Sequence, residues 1–148
     1  MARFIYNLQN VLEVKKKLED QQKTAFGLAN ARVIEEQQKL QELFVRDARY
    51  QAQLKELTQG SINIGEIKIC KNAIAAMKSK IRDQMIELSK AQRALERERE
   101  RLNEAMQERK MHENLREKAF AQFLEDEAKE ESKITDELVS YRHLLKEE

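Results

Sequence analysis

The sequence predicts an all-α protein that folds as a long antiparallel two-helix coiled-coil hairpin. Its 148 residues include three glycines and no proline, and 37% of them are charged. Chains dominated by Ala, Glu, Lys, Leu, Arg and Gln are typical of long helices and coiled coils. Apolar residues also recur in alternating steps of three and four along two long segments, which indicates a narrow seam on each helix. One interruption separates the segments and gives the chain a place to reverse.

The interruption spans residues 58–65 and holds two of the three glycines. Gly60 suits the left-handed position just past a helix end. Asn63 followed by Glu66 has the spacing of an N-terminal capping box. We therefore expect a single domain over residues 1–148, with a first helix from about 4 to 58, a turn at 59–63 and a second helix from about 64 to 146.

Each helix has a predicted seam. In the first it comprises Phe4, Leu8, Val11, Leu18, Ala25, Ala29, Val33, Leu40, Leu43, Tyr50, Leu54 and Leu57. In the second it comprises Ile67, Cys70, Ile74, Met77, Ile81, Leu88, Ala91, Leu95, Leu102 and Ala105. After a polar stretch the apolar residues resume one step out of phase, at Phe120, Leu124, Ile134, Leu138, Tyr141 and Leu145. Such a slip predicts a stutter in the coiled coil.

The two arms of the predicted hairpin are unequal. Counting outward from the turn sets Phe4 opposite Phe120, so residues 121–148 have no partner in the chain. Residues 124–148 carry nine acidic and four basic side chains, a net charge of −5. We expect this acidic tail to fray, to fold back, or to pack on another protein.

The composition argues against several functional classes. The net charge of +1 gives no overall field that would attract a polyanion. One cysteine excludes an intramolecular disulfide and a cysteine cluster for zinc, which suits a reducing cytosol. The first residues lack the apolar run of a signal peptide, and no segment approaches the roughly 20 apolar residues of a membrane span. We therefore expect a soluble cytoplasmic protein.

The sequence offers little for chemistry. His112 and His143 are far apart on one predicted helix, and neither is close in sequence to a cysteine. Cys70 falls on the apolar seam and has no histidine placed to activate it. The glycine-rich loops that hold phosphate are absent from the sequence. The sequence therefore predicts no enzyme, no cofactor and no metal site, and a function based on contact with other proteins.

Two runs of residues resemble a known family. The first contains the aromatic pair Phe4 and Tyr6, then Leu8, then a cluster that ends at Lys15. The second contains residues 115–120 with the acidic pairs that follow them at 125–126 and 136–137. Together with the length, the hairpin and the unequal arms, these runs resemble the FliJ family of bacterial flagellar export proteins over nearly the whole chain.

The resemblance implies a cytoplasmic component of the flagellar type III protein export apparatus, at the cytoplasmic face of the inner membrane. Such a protein is a noncatalytic central stalk inside the ring of the export ATPase, whose assembly and activity it promotes. It also contacts the cytoplasmic domain of the export gate and escorts export chaperones. By analogy with rotary ATPases, the end that carries the chain termini enters the ring and the turn end faces the gate.

The resemblance also implies contact residues. Carried over residue by residue, the gate contact falls on Ala73, Met77, Lys80 and Gln84. The ring contact falls on Phe4, Tyr6, Leu8 and Lys15. The family often has an aromatic residue where this chain has Ala73. Met77 and Gln84 also lie on the predicted seam, so a purely structural role stays open for them, as does anchoring of the helix end by the N-terminal apolar residues.

Other functions are compatible with the same pattern. One is the equivalent stalk of a virulence-type type III secretion system. Another is a structural coiled coil that self-associates through its unpaired tail. A nucleic-acid-binding rod is the weakest alternative, because the glutamates between residues 93 and 104 offset the arginines there.

Overall fold

A computed structural model describes residues 2–147, which form two helices, α1 (Gln9–Leu57) and α2 (Ile64–Glu147). The described residues contain no strand. The chain divides into two compact units. The turn unit is Gln21–Leu102, and the terminal unit is residues 2–20 together with 103–147. In each unit a segment of α1 packs antiparallel on a segment of α2, which confirms the predicted helical hairpin.

The turn forms where its glycine and asparagine predict it. Gly60 has φ 77°, the left-handed conformation that L side chains rarely adopt. The Thr58 hydroxyl donates to the carbonyl of Lys55 at 2.8 Å and closes the end of α1. The side-chain oxygen of Asn63 accepts from the backbone amide of Glu66 at 3.3 Å and caps the start of α2. Local sequence therefore determines this reversal.

In the turn unit the seam follows the predicted spacing closely. On α1 its buried and half-buried members are Gln22, Phe26, Ala29, Val33, Glu36, Leu40, Leu43, Asp47, Tyr50, Leu54 and Leu57. On α2 they are Ile67, Cys70, Ile74, Met77, Ile81, Gln84, Leu88, Ala91, Leu95, Glu98 and Leu102. Cys70 is buried, and its thiol donates to the carbonyl of Tyr50 at 3.2 Å. The seam thus includes polar residues that an apolar pattern alone passes over.

In the terminal unit the predicted seam of α1 is wrong by one position. Leu12 is the most deeply buried large side chain there, and Leu8, Val11 and Leu18 are exposed. Counting in alternating steps of three and four from Leu57 back to Leu12 gives one unbroken phase, which passes through Lys15 and Glu19. The helix keeps this phase because charged residues on α2 pair with those positions.

The predicted stutter in α2 is also wrong. The same alternating steps continue from Leu102 through Arg109 and His112 to Ala119 and Phe123. Phe120 and Leu124, on which the stutter rested, are more than two-fifths exposed. The spacing of the apolar residues shifts by one step in this part of α2, but the spacing of the seam positions stays the same. At these positions ion pairs and hydrogen bonds replace apolar contacts.

The first helix begins at Gln9, whereas the sequence predicted a start near residue 4. The backbone amide of Gln9 donates to the carbonyl of Tyr6 at 3.1 Å and closes a turn before the helix. A helix continued backward in the seam's phase would place Ile5 on α2. The extended segment instead places Phe4 there, with its ring centroid 5.1 Å from that of Phe120. The predicted pairing of Phe4 with Phe120 is therefore confirmed.

The unpaired tail begins later than predicted. Phe123 still contacts Phe4, with ring centroids 5.4 Å apart. From residue 128 to residue 146 every residue is exposed, so no described part of the chain covers this stretch. Five exposed apolar residues lie along one face of the tail, and we call them the tail stripe: Leu124, Ile134, Leu138, Tyr141 and Leu145.

Leu95→Asp should destabilise the hairpin by about 2–4 kcal/mol, because a carboxylate replaces an apolar seam residue. Ile86→Asp is the matched control, since Ile86 is on the same helix but exposed. Urea unfolding followed by circular dichroism measures both. Equal destabilisation by the two variants would contradict the assigned seam.

Candidate partner-binding surfaces

Ion pairs connect the two helices of the terminal unit. The Lys15 ammonium lies 2.7 Å from a carboxylate oxygen of Glu108. Glu19 lies one helical turn after Lys15 on α1, and it pairs with the Arg109 guanidinium of α2. Arg109 also lies 2.9 Å from Glu113. Glu19 is buried, and a buried carboxylate is tolerated only with such a partner. These pairs hold the register of the terminal unit where its seam lacks apolar residues.

Arg116 fixes the N-terminal segment on α2. Its Nε donates to the side-chain oxygen of Gln9 at 3.0 Å. Its guanidinium carbon lies 5.6 Å from the centre of the Phe4 ring, within the range of a cation–π contact. The rings of Phe4 and Phe120 form a T-shaped pair, with an angle of 67° between their planes. Phe4 is thus held by contacts on several sides.

The four residues predicted to contact the ATPase ring are brought into one unit, but in different environments. Phe4 and Tyr6 are half-buried against α2, and Leu8 is 47% exposed. Lys15 is paired with Glu108. The hydrogen bond that the Lys15 ammonium donates lowers the pKa of the Glu108 carboxyl. Leu8 and the neighbouring Ile5, which is 76% exposed, are therefore the side chains most available to a partner.

A groove lies beside these residues. It is about 610 Å³ in volume and is lined mainly by the N-terminal segment and one side of α2. Its lining residues are Phe4, Ile5, Tyr6, Asn7, Leu8, Ala119, Gln122, Phe123 and Asp126. An apolar side chain of another protein fits its character better than a small polar ligand does.

A second apolar surface in the terminal unit combines residues of α1 and α2. Val11, Val14 and Leu18 are exposed and share a face of α1 by their spacing. Met111 and Leu115 are exposed and share a face of α2 with Glu108. Because Lys15 bonds to Glu108, both sets lie on the same side of the unit, and we call them the bridge face. The signal was the crowding of apolar residues at 11, 12 and 14, which exceeds the need of a two-helix seam.

The four residues predicted to contact the gate do not form one exposed patch. Met77 is 3% exposed and packs in the seam. The Gln84 side-chain amide donates to the backbone carbonyl of Glu36 at 3.1 Å and also to its carboxylate. Ala73 is half-buried, and Lys80 is exposed. Ala73 and Lys80 are therefore available for contact, and Met77 and Gln84 hold the two helices together.

The turn unit also exposes isoleucines near the turn. Ile62, Ile64 and Ile69 are all more than 60% exposed. Ile69 lies one helical turn before Ala73, and both line a groove of about 260 Å³. The apolar spacing did not predict a role for these isoleucines, because they lie outside the seam. They extend the surface around Ala73.

Glu36 is a buried carboxylate with several partners. Arg32 Nη2 lies 3.1 Å from it and Lys39 Nζ 3.4 Å from it, both on the same helix. The hydrogen bond from Gln84 is the main reason why its pKa lies below the ordinary value, and Lys39 and Arg32 act in the same direction. Its ionised form is therefore the one that the folded hairpin stabilises.

The side chains with potential for catalysis, Cys70 and His112, pack between the two helices. Cys70 is buried and bonded to a backbone carbonyl. His112 is half-buried on the seam. Among residues 2–147, no group of three or more His, Cys, Asp or Glu side chains could hold a metal ion. Neither helix, over the residues that the structure describes, has a stretch long and apolar enough to cross a membrane.

Comparison with known proteins gives one family and one solved fold. A family model described as "Flagellar FliJ protein" matches residues 4–148. The structure of CT670 from Chlamydia trachomatis, described as a YscO homologue, is similar with a TM-score of 0.77 at 23% identity. The similarity covers 98% of this chain and 97% of that one. No curated protein matches the chain.

Removing one partner of the Glu19–Arg109 pair should destabilise the protein more than removing both. We expect Glu19→Leu alone to cost about 1–3 kcal/mol, since Arg109 loses its buried partner. The double variant Glu19→Leu with Arg109→Leu should be at least as stable as the wild type, because two leucines can extend the seam. Urea unfolding of the three proteins tests this. A double variant less stable than Glu19→Leu would contradict the pairing.

Acid should weaken the hairpin through Glu36. Its pKa is lowered by folding, so its contribution is complete above the unfolded value of about 4.3 and is lost as the pH falls through the lowered folded value. In Gln84→Leu the main cause of the lowering is absent. The difference in unfolding free energy between pH 7 and pH 4 should therefore shrink. An unchanged pH dependence in Gln84→Leu would show that this bond does not set the pKa.

Proposed function

Because the chain belongs to the flagellar FliJ protein family, we propose that it is the noncatalytic central stalk of a flagellar type III export apparatus. The family associates the chain with type III export. The observation that most supports a stalk is the two-helix hairpin, whose terminal unit carries apolar side chains beyond those its own seam uses. A two-helix hairpin works by contact, since it has almost no interior in which to enclose a substrate.

In this proposal the terminal unit lies inside the ring of the export ATPase. Leu8, with the neighbouring Ile5 and the groove beside them, contacts ring subunits. Phe4 and Tyr6 position that segment on α2, and Lys15 contributes through its pair with Glu108. An asymmetric shaft offers different contacts to each subunit of a symmetric ring. It can therefore bias ring assembly and subunit conformation without chemistry of its own.

The turn unit faces the export gate in this proposal. Ala73 and Lys80 contact the cytoplasmic domain of the gate directly, and Ile69 extends that contact. Met77 and Gln84 act by holding α2 against α1 at this position. The protein is then peripheral to the membrane, held at its cytoplasmic face through the gate and the ATPase.

The escort of export chaperones completes the proposed function. Exposed apolar side chains of both units remain after the ring and gate contacts are assigned, among them Leu28 and Ile34. Apolar surface of this kind can hold a chaperone reversibly. Binding of a purified empty export chaperone, measured by calorimetry, would test this role.

Adding the purified chain to the cognate flagellar export ATPase should raise ATP turnover and promote ring formation. Leu8→Asp should reduce both effects about tenfold or more, because a carboxylate replaces an exposed apolar contact at the ring. Lys80→Glu, in the turn unit, is the control and should stimulate like the wild type. Steady-state hydrolysis with light scattering measures both effects.

The gate contact gives the reciprocal result. Lys80→Glu should weaken binding to the cytoplasmic domain of the gate, and Leu8→Asp should leave that binding unchanged. Equal losses toward both partners from either variant would contradict the division of surfaces. Stimulation of a virulence-type ATPase in preference to the flagellar one would assign the chain to that system instead.

A further inference from the structure

The turn unit carries a groove with an apolar floor and a basic rim on one side of its seam. One part of the groove is about 470 Å³ in volume and is lined by Phe44, Met85 and Lys78, among others. The adjoining part, of about 420 Å³, shares Lys78. The lining of the two parts includes three cations and no carboxylate. We call it the basic groove, and its main members are Phe44, Leu54, Lys55, Lys78, Arg82 and Met85.

The positive charge at the basic groove is not balanced locally. None of its three cations forms an ion pair within residues 2–147. By its spacing, Lys71 lies on the same face of α2 as Lys78 and adds to the charge. Asp83 and Glu87 fall on other faces of that helix by their spacing. Asp47 of α1 is held in the seam, with one carboxylate oxygen buried. The groove therefore suits an acidic partner that also has an apolar side.

The tail of the same chain has this character. Five of its residues follow one another in alternating steps of three and four, so they share one face of the helix. They are Leu124, Glu127, Glu131, Ile134 and Leu138. Neither Glu127 nor Glu131 forms an ion pair with any residue that the structure describes. We infer that the tail of one chain binds the basic groove of a second copy, as a third helix beside the two helices of the turn unit.

Charge and length agree between the two surfaces. Residues 124–137 carry seven acidic and two basic side chains, a net charge of −5. From Leu124 to Leu138 the tail rises about 21 Å, and the same number of residues separates Lys71 from Met85 on α2. A tail seated along the groove brings its carboxylates to the cations of the rim, while its apolar side chains cover the floor.

The contact joins two copies and not two parts of one chain. The tail and the α2 side of the groove belong to the same continuous helix, and a helix cannot fold back on itself. Two tails would repel each other, since each carries a net charge of −5 over residues 124–148. A copy that gives its tail to a second copy still offers its own groove to a third. Such a contact is heterologous, so association can continue beyond the dimer.

The contact is small, so the association is weak. A strip of about 21 Å by 10 Å buries roughly 400 Å² over both copies, below the range of stable complexes. We therefore expect a Kd of about 100 µM at low salt. Because the groove's cations are exposed, added salt should weaken the contact further. This inference concerns the chain alone and stands apart from the proposed function.

Sedimentation velocity of the full chain tests the inference, between about 10 and 500 µM in about 50 mM salt. We expect concentration-dependent association of the wild type. Lys78→Glu with Arg82→Glu, the groove variant, should raise the Kd about tenfold or more. Its matched control is Arg46→Glu with Arg49→Glu, which reverses the same charge at exposed sites of α1 outside the groove. A wild type that stays monomeric at the highest concentration, with normal helicity by circular dichroism, would overturn the inference, as would equal losses in the groove variant and its control.

Mixing two impaired variants tests whether the tail and the groove bind each other. The tail variant, Ile134→Ala with Leu138→Ala, should also lose self-association. Val139→Ala with Leu144→Ala, at exposed sites off the tail stripe, is its control and should associate like the wild type. An equimolar mixture of the groove and tail variants should form dimers and nothing larger, because one intact tail meets one intact groove. A mixture that stays monomeric, or a tail variant that associates like the wild type, would overturn the inference and leave the groove to an acidic helix of another protein.

Discussion

The fold depends on a seam that keeps one phase along both helices, including where it runs through charged residues. Two of its members, Glu19 and Glu36, are carboxylates that are 4% and 2% exposed. Each is matched from the opposite helix, Glu19 by Arg109 and Glu36 by Gln84. A shift of register would separate Glu19 from Arg109 and Glu36 from Gln84, and the loss of these cross-helix partners would cost stability. The polar members therefore specify the pairing, and the apolar members supply most of its stability.

This arrangement explains why so much apolar surface remains exposed. In the terminal unit the seam positions are occupied by Lys15, Glu19 and Arg109, so neighbouring apolar residues are displaced to the outside. Val14 and Met111 are more than half exposed for this reason. Exposed apolar side chains in a charged hairpin are available for recognition. The polar seam and the binding surfaces thus have the same structural cause.

The sequence predicted the fold class, the turn and most of the turn unit's seam, because apolar spacing and one left-handed glycine determine those features locally. It failed in the terminal unit for a specific reason. Apolar spacing placed Val11 and Leu18 in the seam, but the pairing of Glu19 with Arg109 depends on residues ninety positions apart along the chain. The extended segment that places Phe4 on α2 likewise depends on aromatic contacts across the unit. Periodicity within one segment contains neither interaction.

The candidate sites were predictable to a different degree. The family resemblance identified Phe4, Tyr6, Leu8 and Lys15 as contact residues. Only the structure shows which of them are exposed enough to contact a partner and which are buried enough to support the fold. Met77 and Gln84 lay on the seam in both the pattern and the structure. The α2 part of the bridge face, Met111 and Leu115, was missed because it becomes a neighbour of the α1 part only through the Lys15–Glu108 pair.

We propose that the terminal unit of this chain occupies the pore of the export ATPase ring. Electron cryomicroscopy of the ring assembled with the chain should then show density for a two-helix coiled coil inside the pore, with Ile5 and Leu8 facing ring subunits and the turn outside. A ring whose pore holds the turn unit, or one that assembles with an empty pore in saturating chain, would contradict it.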